Sequence, residues 1–398
     1  MLQFSIISKS GQARYGELTT PHGKLFTPAF VTVGTIATVK GLSSQDLELI
    51  GTQIIICNTY HLHLQPGVDT IACHGGLHHF MGWKGPLMTD SGGFQIFSHG
   101  AGKEHGVGKI ASIFPEEGGR GRHLSTKKGK SLVQVMEDRV RFVSYLDGST
   151  HEFTPELVIE LQKKLGPDII LPLDECTSPL HDYHHTKKAM ERTHRWAEIA
   201  LEAFNRIPGP EQALFGIVQG GAYRDLRQQS AAFIGGLGFQ GFAIGGSLGR
   251  SKKEMLNVLD WTLPLLPEQR PRHLLGIGEI EDIFHVVERG IDLFDCVVPT
   301  RTARTGTVFV KGEMRNRIHL LNRRFKNDLS PIEEDCPCPT CRGYSRSYMR
   351  HLFKTKEVSG IRLATIHNLF FVERLMKDIR QAIANGTLDE LRSRWMGC

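Results

Sequence analysis

The sequence contains no run approaching the roughly 18 consecutive apolar residues that a helical membrane span requires. Its start, Met1-Leu2-Gln3-Phe4-Ser5, has neither a basic leader nor a long apolar core, so a cytoplasmic location is expected. Cysteine is scarce. Eight in 398 residues are too few for a disulfide framework, and three of them crowd together at Cys336, Cys338 and Cys341, which points to a reducing compartment and a metal. No Gly-x-Gly-x-x-Gly fingerprint follows the first apolar run, which weakens the case for an open dinucleotide-binding sheet. There is no fixed-period repeat and no low-complexity tract. Nor is there a strong excess of one charge: 48 Lys and Arg face 42 Asp and Glu, for a net +6. That balance permits nucleic-acid binding without requiring it. The basic residues are nevertheless concentrated in the C-terminal third, where Arg315, Arg317, Arg323, Arg324 and Lys326 precede the cysteine cluster and Arg342, Arg346, Arg350, Lys354 and Lys356 follow it. A run of this kind reads equally as a solvated face.

What is present is an alternation of short β-branched runs with amphipathic segments. Eight runs, near Phe26–Val33, Ile54–Tyr60, Pro86–Thr89, Asp168–Leu173, Leu214–Val218, Phe242–Ile244, His273–Ile277 and Leu293–Val298, predict strands. Apolar residues recurring at three- and four-residue steps predict helices over Thr154–Leu165, His185–Asn205, Arg224–Ile234, Lys252–Leu263 and Glu281–Glu288. Nearly every run ends in Gly, Asp, Asn or Gln. Functional groups at so many strand ends favour a closed (β/α)8 TIM barrel, whose active site is assembled from the C-termini of its strands. The pattern places a catalytic barrel in residues 1–310, interrupted by a Gly-, Lys- and Arg-containing inserted loop at 100–130, and a zinc-binding subdomain with a closing helix in 311–398.

The most specific chemical signal is Cys336-x-Cys338-x-x-Cys341 followed by His367, with His351 as a nearer alternative for the fourth ligand. Three thiolates and an imidazole form a closed tetrahedral Zn2+ site, which leaves no position for a reacting water and so suits a structural role. Catalysis is then expected elsewhere. Asp90-Ser91-Gly92-Gly93-Phe94-Gln95 offers a carboxylate, close backbone approach and a stacking face. Phe294-Asp295-Cys296 places an acid in an otherwise apolar strand; either it pairs with Arg301 or Arg304 or it has a function. Asp174-Glu175-Cys176, Gln219-Gly220-Gly221 and Gly245-Gly246 supply acids, an amide and backbone N–H groups able to read a purine edge. His61 and His63, taken as one strand face, and His74, His78 and His79 raise a second-metal reading, against the commoner case of core or surface histidines.

Taken in order, Asp-Ser-Gly-Gly-Phe-Gln at 90–95, Asp-Glu-Cys at 174–176, Gly-Ile-Val-Gln-Gly-Gly at 216–221, Phe-Asp-Cys-Val-Val-Pro-Thr-Arg at 294–301 and the cysteine–histidine set resemble the bacterial queuine tRNA-ribosyltransferases, from the N-terminus to about residue 385. The resemblance implies an enzyme that exchanges guanine at the wobble position of U-G-U anticodon tRNAs for a 7-deazaguanine, preQ1 or queuine. Asp295 is implied as nucleophile and Asp90 as general acid/base. Ser91, Asp174, Gln219 and the Gly246 N–H would hold the base between Phe94 and Leu275, with Gln95, Cys176 and Ser247 also in the pocket. Arg301, Arg304, Arg315 and Arg317 are expected on the RNA, and a homodimer is implied. At Gly245-Gly246-Ser247-Leu248-Gly249-Arg250 the chain departs from the family's usual Gly-Gly-Leu-Ala-Val-Gly-Glu. The acid is absent, and Gly249 in place of Val is read as room for a larger base, which favours queuine. Two rival readings remain: a non-catalytic tRNA-binding partner subunit, which would be expected to lack the acids, and a metal-dependent barrel hydrolase.

Overall fold

The protein is described here by a computed structural model covering residues 2–97 and 132–396; the inserted loop at 100–130 lies outside the described residues. An antiparallel sheet of β1 (Gln3–Ser10), β2 (Ala13–Thr20) and β3 (Gly23–Thr27) opens the chain. Pro28, which has no N–H for a ladder, separates β3 from β4 (Ala29–Val33), the first barrel strand. β5 (Ile55–Asn58) and β6 (Leu87–Asp90) follow. A small antiparallel sheet, β7 (Val133–Val135), β8 (Val140–Val143) and β9 (Thr150–Phe153), precedes β10 (Ile169–Ile170). β11 (Ala213–Val218), β12 (Gly241–Ile244), β13 (Arg272–Leu274) and β14 (Leu293–Asp295) complete a closed parallel barrel, in which β14 pairs back onto β4.

Strand periodicity explains how the barrel is filled. Val31, Ile56, Met88, Ile169, Phe215 and Ala243 share one buried cluster, while their sequence neighbours Phe30, Ile55, Leu87, Ile170, Leu214 and Phe242 belong to a second cluster with the helices. Successive side chains of a strand face opposite ways, so the first set lines the interior. Continuing the inward series of β5, β6, β11, β12 and β14 two residues at a time reaches Asn58, Asp90, Gln219, Gly245 and Asp295 at the C-terminal mouth, whereas β4 and β10 continue through the apolar Val33 and Leu171. The opposite end is plugged by the N-terminal sheet, whose Leu18 and Leu25 join the interior cluster. Arg14 fixes that plug: its buried guanidinium pairs with the buried Asp292 and donates to Glu268 O at 2.6 Å.

The outer helices form where their periodicity predicts. Thr154 caps Pro155–Leu165 by accepting from Leu157 N at 3.0 Å, and Ser251 caps Lys252–Thr262 by accepting from Glu254 N at 3.3 Å. The apolar run read as a strand through Tyr60 stops at Asn58, because the Asn58 side chain accepts from His61 N at 3.0 Å and starts a helix over Thr59–Leu64. His61 and His63 therefore sit on a helix and not on a strand face. The 28-residue helix Val358–Asn385 returns from the cysteine region to pack on β1, β2 and β4. Among the described residues, no helix is long and apolar enough to cross a membrane.

Candidate active site and metal centre

Asp90 and Asp295 end two barrel strands at the same mouth. Asp90 accepts from Asn58 Nδ2 at 2.6 Å. Burial pushes its carboxyl up to about 8, against the Asn58 hydrogen bond, and the nearby charges of Asp295 and Asp174 push in the same direction as burial. A proton is therefore held on Asp90 at neutral pH, and the Asp295 charge is close enough to help keep it there. Asp295 Oδ1 takes two donors, His273 Nε2 at 3.1 Å and Gly276 N–H at 3.2 Å. The buried His273 ring finds no partner for Nδ1 among the described residues, so its proton belongs on Nε2, facing the acid. The partner of Asp295 is thus a histidine, and not Arg301 or Arg304, the alternatives that the sequence offers.

A second group of side chains forms a pocket wall beside this pair. Gln219 Nε2 donates to Asp174 Oδ2 at 2.5 Å, and the Cys176 thiol donates to the same oxygen at 3.3 Å. Burial lifts Asp174 to about 6 and the Cys176 thiol well above its usual value; the Gly246 N–H also reaches Cys176. Leu275 adjoins this cluster across the bare face of Gly245, where an added Cβ would stand 3.2 Å from Gln219 Nε2 and 3.4 Å from Leu275 Cδ1. Ser91 is buried, and its Oγ accepts from Gly93 N at 3.2 Å. Gly93 has to be glycine, because a Cβ there would lie 2.7 Å from Asp174 O. Two motifs far apart in the chain are thereby pressed together. Phe94 is 61% exposed, with a face open for stacking, and Gln95 follows it half-buried. Ser247 is buried, with its Oγ accepting from Gly249 N at 3.2 Å. Gly249 does not open room for a larger base: its missing side chain would point at Glu254 Cβ, 2.5 Å away, and thus into helix Lys252–Thr262 and not into open space.

Cys336, Cys338, Cys341 and His367 converge, all buried, with their ligand atoms within 4.8 Å of one another. His367 Nδ1 lies 3.8, 3.5 and 3.3 Å from the three Sγ atoms in that order. Its Nε2–H donates to Phe309 O at 2.7 Å, which fixes the tautomer that turns the Nδ1 lone pair toward the thiols. His351 is exposed and takes no part. The donor set fits a metal ion with four protein ligands and no open position.

The remaining histidines do not form a second catalytic centre among the described residues. His61 meets Tyr145 Oη at 3.2 Å, His63 meets His151 at 3.1 Å, and His74 meets Thr70 O at 2.8 Å. His22, His78 and Asp168 do cluster, at the plugged end of the barrel. The two rings are stacked 3.5 Å apart at 17°; His22 Nδ1 hydrogen-bonds Asp168 Oδ1 at 2.8 Å, and His78 Nε2 hydrogen-bonds Gly85 O at 3.2 Å while standing 3.4 Å from Asp168 Oδ2, far from the mouth that holds Asp90 and Asp295.

The basic residues divide into two kinds. Arg301 and Arg315 are exposed, and Arg304 is half-buried with Nη1 on Thr300 O at 3.2 Å. Arg317 is engaged within the fold by an ion pair with Glu279 and by the Phe309 ring. Arg346 is likewise held by Asp328. Part of the basic run is therefore structural.

Comparison with known proteins agrees with the resemblance. The family model for queuine tRNA-ribosyltransferase matches residues 9–117 and 117–397. A relative from Archaeoglobus fulgidus is 50% identical over 404 aligned residues, covering 100% of this chain and 99% of its own. Two proteins named queuine tRNA-ribosyltransferase, from Roseiflexus sp. and Halothermothrix orenii, are 47% and 46% identical over 97% of this chain, covering 96% and 94% of their own. On this coverage and identity, with the closed barrel and the Cys3His centre in place, the chain belongs to the queuine tRNA-ribosyltransferase family of pentosyltransferases.

Proposed function

We propose that the protein exchanges guanine at the wobble position of U-G-U anticodon tRNAs for a free 7-deazaguanine, by way of a covalent enzyme–RNA intermediate. The observation that carries this reading is that Asp90 and Asp295 end two barrel strands on one rim; burial keeps a proton on Asp90, and the nearby Asp295 charge acts in the same direction. Both donors to Asp295 fall on Oδ1, so Oδ2 is the oxygen left to attack C1′ of the ribose. As that bond forms, the bond from C1′ to the base nitrogen breaks, the electron pair leaves with guanine, and Asp90 supplies the proton. In the second half-reaction the incoming base gives its proton to Asp90 and attacks C1′, which releases Asp295. A pair of carboxylates on these two duties suits a cationic, glycosyl-transfer transition state.

Asp174, Gln219 and the Gly246 N–H are positioned to read the edge of the base, with Ser91, Gln95, Cys176 and Ser247 around them and Phe94 and Leu275 as stacking walls. Arg301, Arg304 and Arg315 are proposed to contact phosphates. Zn2+ held by Cys336, Cys338, Cys341 and His367 would supply folding energy to a subdomain over 311–398 and no chemistry to the exchange. A dimer acting in the cytoplasm completes the reading.

Incorporation of labelled guanine into a U-G-U stem-loop tests the activity, with loss of incorporation expected in Asp90→Asn and Asp295→Asn. For the incoming base, the lack of an acid at Arg250 removes a partner for the cationic aminomethyl group of preQ1, and queuine is favoured. Competing both bases against labelled guanine decides the matter; better kinetics with preQ1 would defeat the choice of queuine.

A further inference from the structure

One cation is buried beside the base pocket without an acid. Arg227, on helix Arg224–Gly236, has no exposed surface, and among the described residues no carboxylate pairs with it. Its guanidinium is instead spent entirely on main-chain carbonyls. Nε donates to Gly221 O at 2.6 Å, Nη1 to Val218 O at 2.9 Å, and Nη2 to both Gly245 O and Ser247 O at 2.9 Å.

These four carbonyls are not scattered. Val218 and Gly221 bracket Gln219 and Gly220, where β11 leaves the barrel; Gly245 and Ser247 flank Gly246, where β12 does. At both turns the backbone enters the left-handed region, with φ of +127° at Gly220, +58° at Gly221 and +72° at Gly246. A chain that leaves its ladder inside the protein strands its carbonyls, and each one left unpaired is costly. Val218 O already accepts from Gly245 N at 3.1 Å, and the other three carbonyls are the ones left to Arg227 among the described residues; the planar five-donor fork of arginine reaches all four from one point, whereas a lysine ammonium has three donors on a single atom. The carbonyl dipoles only partly offset the lost hydration, and burial draws the guanidinium down to about 9. With both flanking carbonyls of Gly246 held on the Arg227 side, its N–H is free to turn to Cys176, and Gln219 is held where its amide reaches Asp174.

We infer that Arg227 is the positioning residue of base recognition, clamping the β11 and β12 turns so that Gln219 and Gly246 present one fixed edge to the exchanged base. The inference rests on the proposed function and deepens it. A residue that sets the base edge governs affinity for the free base and leaves the grip on the RNA unchanged.

The test uses the full chain with its metal. In Arg227→Lys, the KM for guanine should rise about tenfold or more, as expected for loss of charge-assisted hydrogen bonds, while stem-loop affinity stays within about twofold of wild type. In Arg227→Ala, millimolar guanidinium should restore part of the lost exchange, and sodium at equal ionic strength should not. A guanine KM unchanged in the Lys variant, a parallel fall in guanine and stem-loop affinity, or a folded Ala variant indifferent to guanidinium would each overturn the inference. If the wild-type chain exchanges no base, the functional reading fails on its own. Calorimetric binding of guanine to wild type and Arg227→Lys then still judges the clamp, which is overturned if the two do not differ.

Discussion

His273 Nε2 stands 3.1 Å from Asp295 Oδ1, in a ring whose other nitrogen has no partner among the described residues. A histidine buried this completely in a barrel strand holds the acid by one defined hydrogen bond. Together with Gly276 N–H it loads a single carboxylate oxygen, and among the described residues the other oxygen takes no hydrogen bond.

Replacing His273 with Phe keeps much of the ring's volume and removes the donor. Exchange should fall roughly 10- to 100-fold, in line with loss of a charge-assisted bond at the reacting group, with stem-loop affinity little changed. His273→Gln, which retains a donor, should recover part of the loss. Equal activity in wild type and His273→Phe would show that Asp295 needs no such support.

The raised carboxyl of Asp90 gives stability a definite dependence on pH. Its folded value of about 8 lies above the ordinary carboxylate value of 3.8. Between those values the unfolded chain gives up the proton and the folded chain keeps it, so this group lowers stability as pH rises through the window. Asp90→Asn removes the effect. Its melting temperature relative to wild type should therefore be higher at about pH 9 than at about pH 5, as thermal unfolding at the two values would show. A difference independent of pH would contradict the shift.

Gly93→Ala places a methyl against Asp174 O and Oδ1, at 2.7 and 2.9 Å. One of the two motif loops has to move. Overpacking of this kind costs about 1–3 kcal/mol, and the displaced Asp174 should raise the guanine KM more than it affects RNA binding. Steady-state kinetics with base and stem-loop varied separately would reveal an unchanged guanine KM if the contact is tolerated.

Removal of the metal should act on the fold before it acts on chemistry. The four ligands are buried and join segments from 336 to 367, so chelation should lower the melting temperature and expose the Cys336, Cys338 and Cys341 thiols to an alkylating reagent. Protection of these thiols in fully chelated protein would contradict a metal-held centre.

Much of this was legible in the sequence because the barrel repeats one rule. Several inward series of apolar residues end in a polar one, and Met88 to Asp90 or Ile217 to Gln219 can be followed by counting in twos. The cysteine spacing was equally plain. What could not be read were contacts that depend on closure of the barrel. His273 looks like an ordinary strand residue until β13 and β14 are neighbours. The four carbonyl acceptors of Arg227 belong to turns that no side-chain pattern records. His61 and His63 read as strand residues because the apolar run continues past Asn58, and only the Asn58 cap ends it. Gly249 suggested empty space in the pocket, but its bare face is turned to Glu254. Arg317 counted toward a basic surface until Glu279 claimed it.

The proposed exchange turns on a covalent bond between Asp295 and the RNA. Incubating the wild-type protein with a U-G-U stem-loop and resolving the mixture on a denaturing gel should show a protein–RNA adduct, and Asp295→Asn, with the same fold and metal content, should show none. No adduct with the wild-type chain under conditions where it exchanges guanine, or an undiminished adduct with Asp295→Asn, would contradict the account.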